Sequence, residues 1–152
     1  MEKLEMYQDL CNQLEALLEN ETDTIANLAN ASALLAQTLE DINWVGFYLW
    51  KQNELVLGPF QGKVACMHIA LGKGVCGTCA ANQSIQRIAN VHEFPGHIAC
   101  DGASNSELVI PIYKDGIFFG VFDIDAPIYN RFDALDEQGL QTFLHLLEAH
   151  LS

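Results

Sequence analysis

Two apolar runs, residues 107–113 and 117–125, are separated only by Lys114-Asp115-Gly116. Asp-Gly between alternating apolar segments is a strong signal for a two-residue hairpin turn, so these strands must run antiparallel. The same architecture is legible upstream, where WVGFYLW and LVLGPF flank Lys51-Gln52-Asn53-Glu54. Tight hairpins cannot be βαβ units, because a parallel crossover needs a dozen or more connecting residues. Gly72-Lys73-Gly74-Val75-Cys76-Gly77 spells G-x-G-x-x-G, with Glu93 at about the spacing of a ribose-binding acid. Without parallel strands around it, that motif reads as a tight glycine turn rather than a dinucleotide site.

Helical periodicity frames the sheet. Leu4, Tyr7, Leu10, Cys11, Leu14, Leu17 and Leu18 recur at i, i+3, i+4, and Ile25, Leu28, Leu35 and Leu39 do so again after Thr22 and Asp23, either of which can cap. Cys11 lies on the first apolar stripe and reads as a core residue. Residues 64–71 and 84–91 are further strand candidates, 74–82 a short helix, and Leu140, Phe143, Leu144, Leu147 and Leu151 a closing helix capped by Asp133 or Asp136. The order predicts an α+β fold: a central, mainly antiparallel sheet with helices on one face. At 152 residues and 50% hydrophobic content, one domain spanning 1–152 has ample material for a core.

Strand parity then sorts the side chains, because neighbours alternate faces. Val45, Phe47, Leu49, Leu108, Ile110, Phe122 and Ile124 fall on wholly apolar faces that the helices can cover. Trp44, Tyr48, Glu107, Asp123 and Asp125 fall on the opposite face, with loops alone to cover them. Two aromatic rings beside three carboxyls describe a pocket better than a solvated sheet face, which would carry Lys and Thr.

A net charge of -13 repels nucleic-acid phosphates and anionic membranes, and no segment approaches the ~18 to 20 apolar residues of a membrane span. The N-terminus lacks the features of a signal peptide, so a soluble cytoplasmic protein is expected. Five cysteines, an odd number, argue against a purely structural disulfide framework. Cys66, Cys76 and Cys100 sit in Gly-, Pro- and His-punctuated sequence, and FPGHIACDGASNSE around Cys100 reads as an irregular loop, which points to thiol chemistry. A zinc site from Cys66, Cys76, Cys79 and Cys100 would lack two separated C-x-x-C pairs. No G-x-S-x-G elbow occurs, Ser104 and Ser106 read as turn formers, and His97 beside Cys100 is loosely spaced for a hydrolytic dyad. No metal and no cofactor are expected.

The segments NWVGFYL, LGPFQGKVAC, GKGVCGT, FPGHIACD, SNSELVIPI and GVFDIDAP, in this order across residues 40 to 140 or so, resemble the free methionine-R-sulfoxide reductases, which are GAF-domain enzymes. The resemblance implies a GAF-like fold with a loop-covered pocket, Cys100 as nucleophile, Cys66 as resolving cysteine and Cys76 as the third motif cysteine. It further implies Trp44 and Tyr48 as aromatic pocket residues and Glu107, Asp123 and Asp125 as substrate-binding carboxyls. Cys79 departs from the pattern and creates a Cys76-Gly77-Thr78-Cys79 spacing open to a side disulfide.

That chemistry requires a thiolate to attack the sulfoxide sulfur while the oxygen takes up a proton, which a carboxyl kept protonated can supply. Glu107 or Asp125 suits this role, with Asp123 supporting position or binding the substrate's ammonium. The sulfenic acid left on Cys100 must be captured as a disulfide, by Cys66 or by Cys76, and a thioredoxin-type exchange resets the chain. The ring faces of Trp44 and Tyr48 suit the S-methyl group and the developing cationic sulfur. The substrate carboxylate fits backbone N–H groups near residues 72–77, if that turn opens a helix. Cys76 near such a helix N-terminus would have a lowered pKa. Homodimerisation through the terminal helices is a further expectation. The reading from another class is a non-catalytic GAF module that binds a small molecule, which needs a pocket but no redox pair.

Overall fold

A computed structural model describes residues 2–96 and 102–152. His97 and Cys100 lie outside the described residues. The elements follow the order α1 (Lys3–Leu18), α2 (Thr24–Thr38), β1 (Trp44–Lys51), β2 (Glu54–Gly62), β3 (His68–Ala70), α3 (Gly74–Asn82), β4 (Gln86–Ile88), β5 (Ser106–Lys114), β6 (Ile117–Ala126) and α4 (Ala134–Glu148). The six strands form one sheet in the order β3-β2-β1-β6-β5-β4, antiparallel at every pairing.

Both hairpins turn where the sequence places them. Gln52 and Asn53 have φ of 52° and 65°, and Asp115 and Gly116 have 52° and 78°. Positive φ at both central residues is the type I′ pattern, whose twist matches that of the strands. Asp23 caps α2 by accepting from the Ala26 N–H, and Asp133 and Asp136 close a reciprocal capping box at the start of α4.

Helices α1, α2 and α4 cover one face. Val45, Phe47, Leu108, Ile110, Phe122 and Ile124 pack there against Leu10, Leu14, Leu28, Leu35, Leu140 and Phe143. Leu4, Leu17 and Ile25, assigned to the helical stripes by spacing, are exposed instead, because each stripe is wider than the contact it serves. Beneath this layer Asp136 is fully buried and accepts from Tyr7 Oη at 2.7 Å and Lys3 Nζ at 3.0 Å, with Arg131 Nη1 at 3.4 Å. The Tyr7 phenol is pushed far up by burial and by Asp136, so it remains a hydrogen-bond donor.

Two expected strands are shorter than the sequence suggested. Residues 64–71 pair with β2 as a strand only over His68–Ala70. Just before it, the carbonyls of Lys63 and Cys66 accept hydrogen bonds from side chains of β1 rather than from a neighbouring strand. Residues 84–91 yield Gln86–Ile88 alone, since Asn90 accepts from the His92 N–H and starts a 3-10 turn at Val91–Glu93. Strands β3 and β4 lie at opposite edges of the sheet, so the chain between them crosses the face that α1, α2 and α4 leave open. Helix α3 sits on that crossing and roofs part of the face, which therefore is covered by more than loops.

Candidate active site

Three neighbouring strands build the floor of the site. Glu107 on β5 stands directly opposite Asp125 on β6, which stands opposite Trp44 on β1; Asp123 stands opposite Gly46 and Val109. Like charges on directly opposed residues destabilise a sheet, and here they are also out of water. Glu107, Asp123 and Asp125 are only 6%, 5% and 8% exposed. Such a cluster is tolerable when it holds protons. Burial, then the neighbouring Asp123 and Asp125, push the Glu107 carboxyl well above its usual value of 4.5. Burial also raises Asp123, partly offset by hydrogen bonds to Glu107, Asp125 and Cys76. Asp123 Oδ1 finds no hydrogen-bond partner among the described residues.

The aromatic wall comes from β1 and β2. Trp44 stacks on Tyr48 with ring centroids 5.9 Å apart and on Phe60 at 5.0 Å. Two glycines make room for it. A Cβ on Gly46 would lie 2.3 Å from Phe60 Cβ, and one on Gly62, at φ 141°, would lie 2.5 Å from Trp44 Cδ1. The polar ends of both rings point at the loop carrying Cys66: Trp44 Nε1 donates to the Lys63 carbonyl at 3.1 Å and Tyr48 Oη to the Cys66 carbonyl at 2.9 Å. Burial, with Asp123 next in effect, raises the Tyr48 phenol far above its ordinary value, which keeps it a donor.

Helix α3 supplies the roof. Its Lys73 N-cap makes no side-chain capping bond, so the first-turn N–H groups have no side-chain acceptor from their own cap. Cys76 in this first turn approaches Glu107 Oε2 at 3.9 Å. The expected lowering of its pKa is reversed. Burial and the carboxyls of Asp123, Glu107 and Asp125 push the thiol well above its usual value, outweighing the helix terminus. Cys76 lies on the short helix expected over 74–82. Cys79, one turn on, is fully buried and pushed up to about 12, and both thiols are free, so the side disulfide between them is not formed. Cys66 is half-buried and disulfide-bonded. The cysteines of the described part thus do not gather as a zinc set; the donors that converge are Cys76, Glu107 and Asp123, whose ligand atoms lie within 4.8 Å of one another.

A GAF domain model matches residues 13–151. The free methionine-R-sulfoxide reductase of Escherichia coli (strain K12) is 53% identical over 152 residues, covering 100% of this chain and 92% of the relative. The chain belongs to the free methionine-R-sulfoxide reductase family of GAF-domain proteins. Protein YtsP of Bacillus subtilis (strain 168) is 57% identical over 148 residues, covering 96% of this chain and 91% of the relative. The structure of fRMsr of Staphylococcus aureus in complex with substrate superposes with a TM-score of 0.92 at 53% identity, over 96% of this chain and 95% of that one.

In this member of the reductase family, Trp44, Tyr48, Cys66, Cys76, Glu107, Asp123 and Asp125 converge on one face of the sheet, while Cys100 lies outside the described residues. Sequence reasoning missed Phe60, whose ring extends the aromatic stack; its partner Gly46, two residues from both Trp44 and Tyr48, was the available signal. It also missed the posts at the base of the loop before β5. Asn43 Nδ2 donates to Ser104 Oγ, His92 Nε2 pairs with Asn105 Oδ1 at 2.8 Å, and Ser106 Oγ donates to the Ile128 carbonyl at 2.6 Å. Ser104 and Ser106 are buried pins rather than turn formers.

Proposed function

We propose that this chain reduces free L-methionine-(R)-S-oxide to L-methionine. The observation that carries the reading is the juxtaposition of three buried carboxyls with stacked aromatic rings whose donors hold the loop of a disulfide-bonded Cys66. A ligand-sensing module would need the pocket but not the disulfide. Names of relatives support the substrate: the Escherichia coli protein is called a free methionine-R-sulfoxide reductase, and the Staphylococcus aureus structure is described as a substrate complex.

In the proposed cycle the Cys100 thiolate attacks the sulfoxide sulfur. Glu107, the carboxyl raised well above its ordinary range, donates a proton to the sulfoxide oxygen. Asp123 accepts a hydrogen bond from the substrate ammonium through its unpartnered oxygen, and Asp125 supports Glu107 from the directly opposed position. The Trp44 and Tyr48 faces hold the S-methyl group, and the first turn of α3 receives the substrate carboxylate. Methionine leaves, the oxygen stays on Cys100 as a sulfenic acid, and the Cys66 thiol displaces it as water to form a Cys66–Cys100 disulfide. Cys66 is a better resolving thiol than Cys76, which is buried, far from its thiolate form and occupied by Glu107. Thioredoxin, in the cytoplasm, returns two electrons as a dithiol.

The test is thioredoxin-coupled NADPH consumption with the free R epimer, the S epimer and a sulfoxide-containing peptide, beside Cys100→Ser. Turnover of the free R epimer alone, abolished by the substitution, is the expected result. No turnover by reduced, folded protein would sink the reaction and leave a binding module.

A further inference from the structure

From Leu55 to His92 the chain carries no Asp or Glu, although it has 20 acids in 152 residues, and this stretch holds Lys63, Lys73 and Arg87. Cys66 lies within it, partly open to solvent. Its neighbours Val64 and Met67 are 88% and 69% exposed, and Leu71 is 51% exposed. These apolar side chains are held out by an ordered backbone. Trp44 and Tyr48 grip the carbonyls of Lys63 and Cys66, and the Met67 carbonyl accepts from the Leu57 N–H at 2.9 Å. Glu54, the acid that immediately precedes this stretch, is paired with His68 Nδ1 at 2.7 Å.

On a chain of charge -13, a segment free of acids is where an anionic protein can approach without repulsion. We propose that Val64 and Met67, with Lys63 beside them, form the docking surface for the dithiol protein that reduces the Cys66 disulfide. The inference rests on the proposed redox cycle. In the step it serves, one reductant thiolate attacks Cys66 Sγ, and the other cysteine of the disulfide leaves as a thiolate and takes a proton. The reductant's second thiolate then attacks its own sulfur in the mixed disulfide and releases Cys66 as a thiolate. Two electrons pass to this chain and the reductant departs as a disulfide. Apolar contact at Val64 and Met67 orients the attack, and Lys63 favours an acidic partner face.

The test measures release of the Cys66 thiol from oxidised protein by alkylation and mass spectrometry, driven either by thioredoxin or by dithiothreitol, with no sulfoxide present. For Val64→Asp, Met67→Asp and Lys63→Glu, the thioredoxin-driven rate should fall about tenfold, as for loss of one well-placed interface contact. The dithiothreitol-driven rate should stay within about twofold, since a small thiol needs no docking surface. Thioredoxin rates equal to the unsubstituted protein's, or equal losses with both reductants, would overturn the docking surface. Because no sulfoxide enters this assay, its outcome is separate from the sulfoxide assay that tests the reaction itself.

Discussion

Replacing Glu107 with Gln separates the stability of the site from its chemistry. Gln has the shape of a protonated Glu but cannot ionise. Burial and two facing carboxyls raise the folded Glu107 well above 4.5, whereas in the unfolded chain it titrates near that value. Between those two pKa values the folded chain binds one more proton than the unfolded chain. A raised carboxyl therefore contributes stability that is full below the unfolded pKa and is lost as pH rises toward the folded one. The slope for one proton is about 1.4 kcal/mol per pH unit. Wherever the folded group keeps its proton and the unfolded one has lost it, Glu107→Gln should gain about 1.4 kcal/mol per pH unit relative to the unsubstituted chain. With a urea m-value of about 1–3 kcal/mol/M, that is a divergence in midpoint of roughly 0.5–1.4 M per pH unit. The assay is urea unfolding of both reduced proteins at half-unit pH steps. Asp133, held at about 2 by the Asp136 backbone N–H, Lys3 and Asp136, contributes with the opposite sign, lost as pH falls through that value, and is common to both proteins. Turnover of the variant should fall about 10²- to 10⁴-fold, the usual worth of a positioned proton donor. Parallel stability curves from pH 5 to 7 would refute the preferential protonation of Glu107 and, with it, its role as the acid.

Cys66→Ser should release one methionine per chain in a burst and then stall, with a sulfenic acid that dimedone traps; steady turnover at the original rate would assign resolution to Cys76 instead. Tyr48→Phe removes the 2.9 Å bond to the Cys66 carbonyl, so stability should drop by about 0.5–1.5 kcal/mol and disulfide formation should slow more than the methionine burst in quenched-flow thiol counting. Asp136→Ala strips Tyr7, Lys3 and Arg131 of a fully buried partner and should cost about 3–5 kcal/mol in urea unfolding, with kcat per folded molecule unchanged, because that network lies on the helix-covered side of the sheet.

Much of the architecture is local and therefore readable from spacing. The turns at Gln52-Asn53 and Asp115-Gly116, the caps at Asp23 and Asp133, and the division of the strands into an apolar and a carboxyl-bearing face depend on residues a few positions apart. The reductase resemblance also rests on short ordered segments, and the family relation bears it out. What spacing could not supply was anything set by neighbours distant in the chain. The 64–71 strand was cut to His68–Ala70 in a loop whose carbonyls were claimed by Trp44 and Tyr48, about twenty residues upstream.

Cys76 marks the boundary most clearly. Its place in the first turn of a helix is a property of the sequence around Gly72, and that alone argues for a lowered thiol pKa. Its ionisation is decided first by burial and then by Asp123, Glu107 and Asp125, which arrive from β5 and β6 only when the sheet forms and the crossover lays α3 across it. Pattern and turn chemistry, being short-range, determined which residues face the pocket. Desolvation and charge–charge interaction, being sums over whatever the fold brings within a few ångströms, determined which of those residues hold a proton.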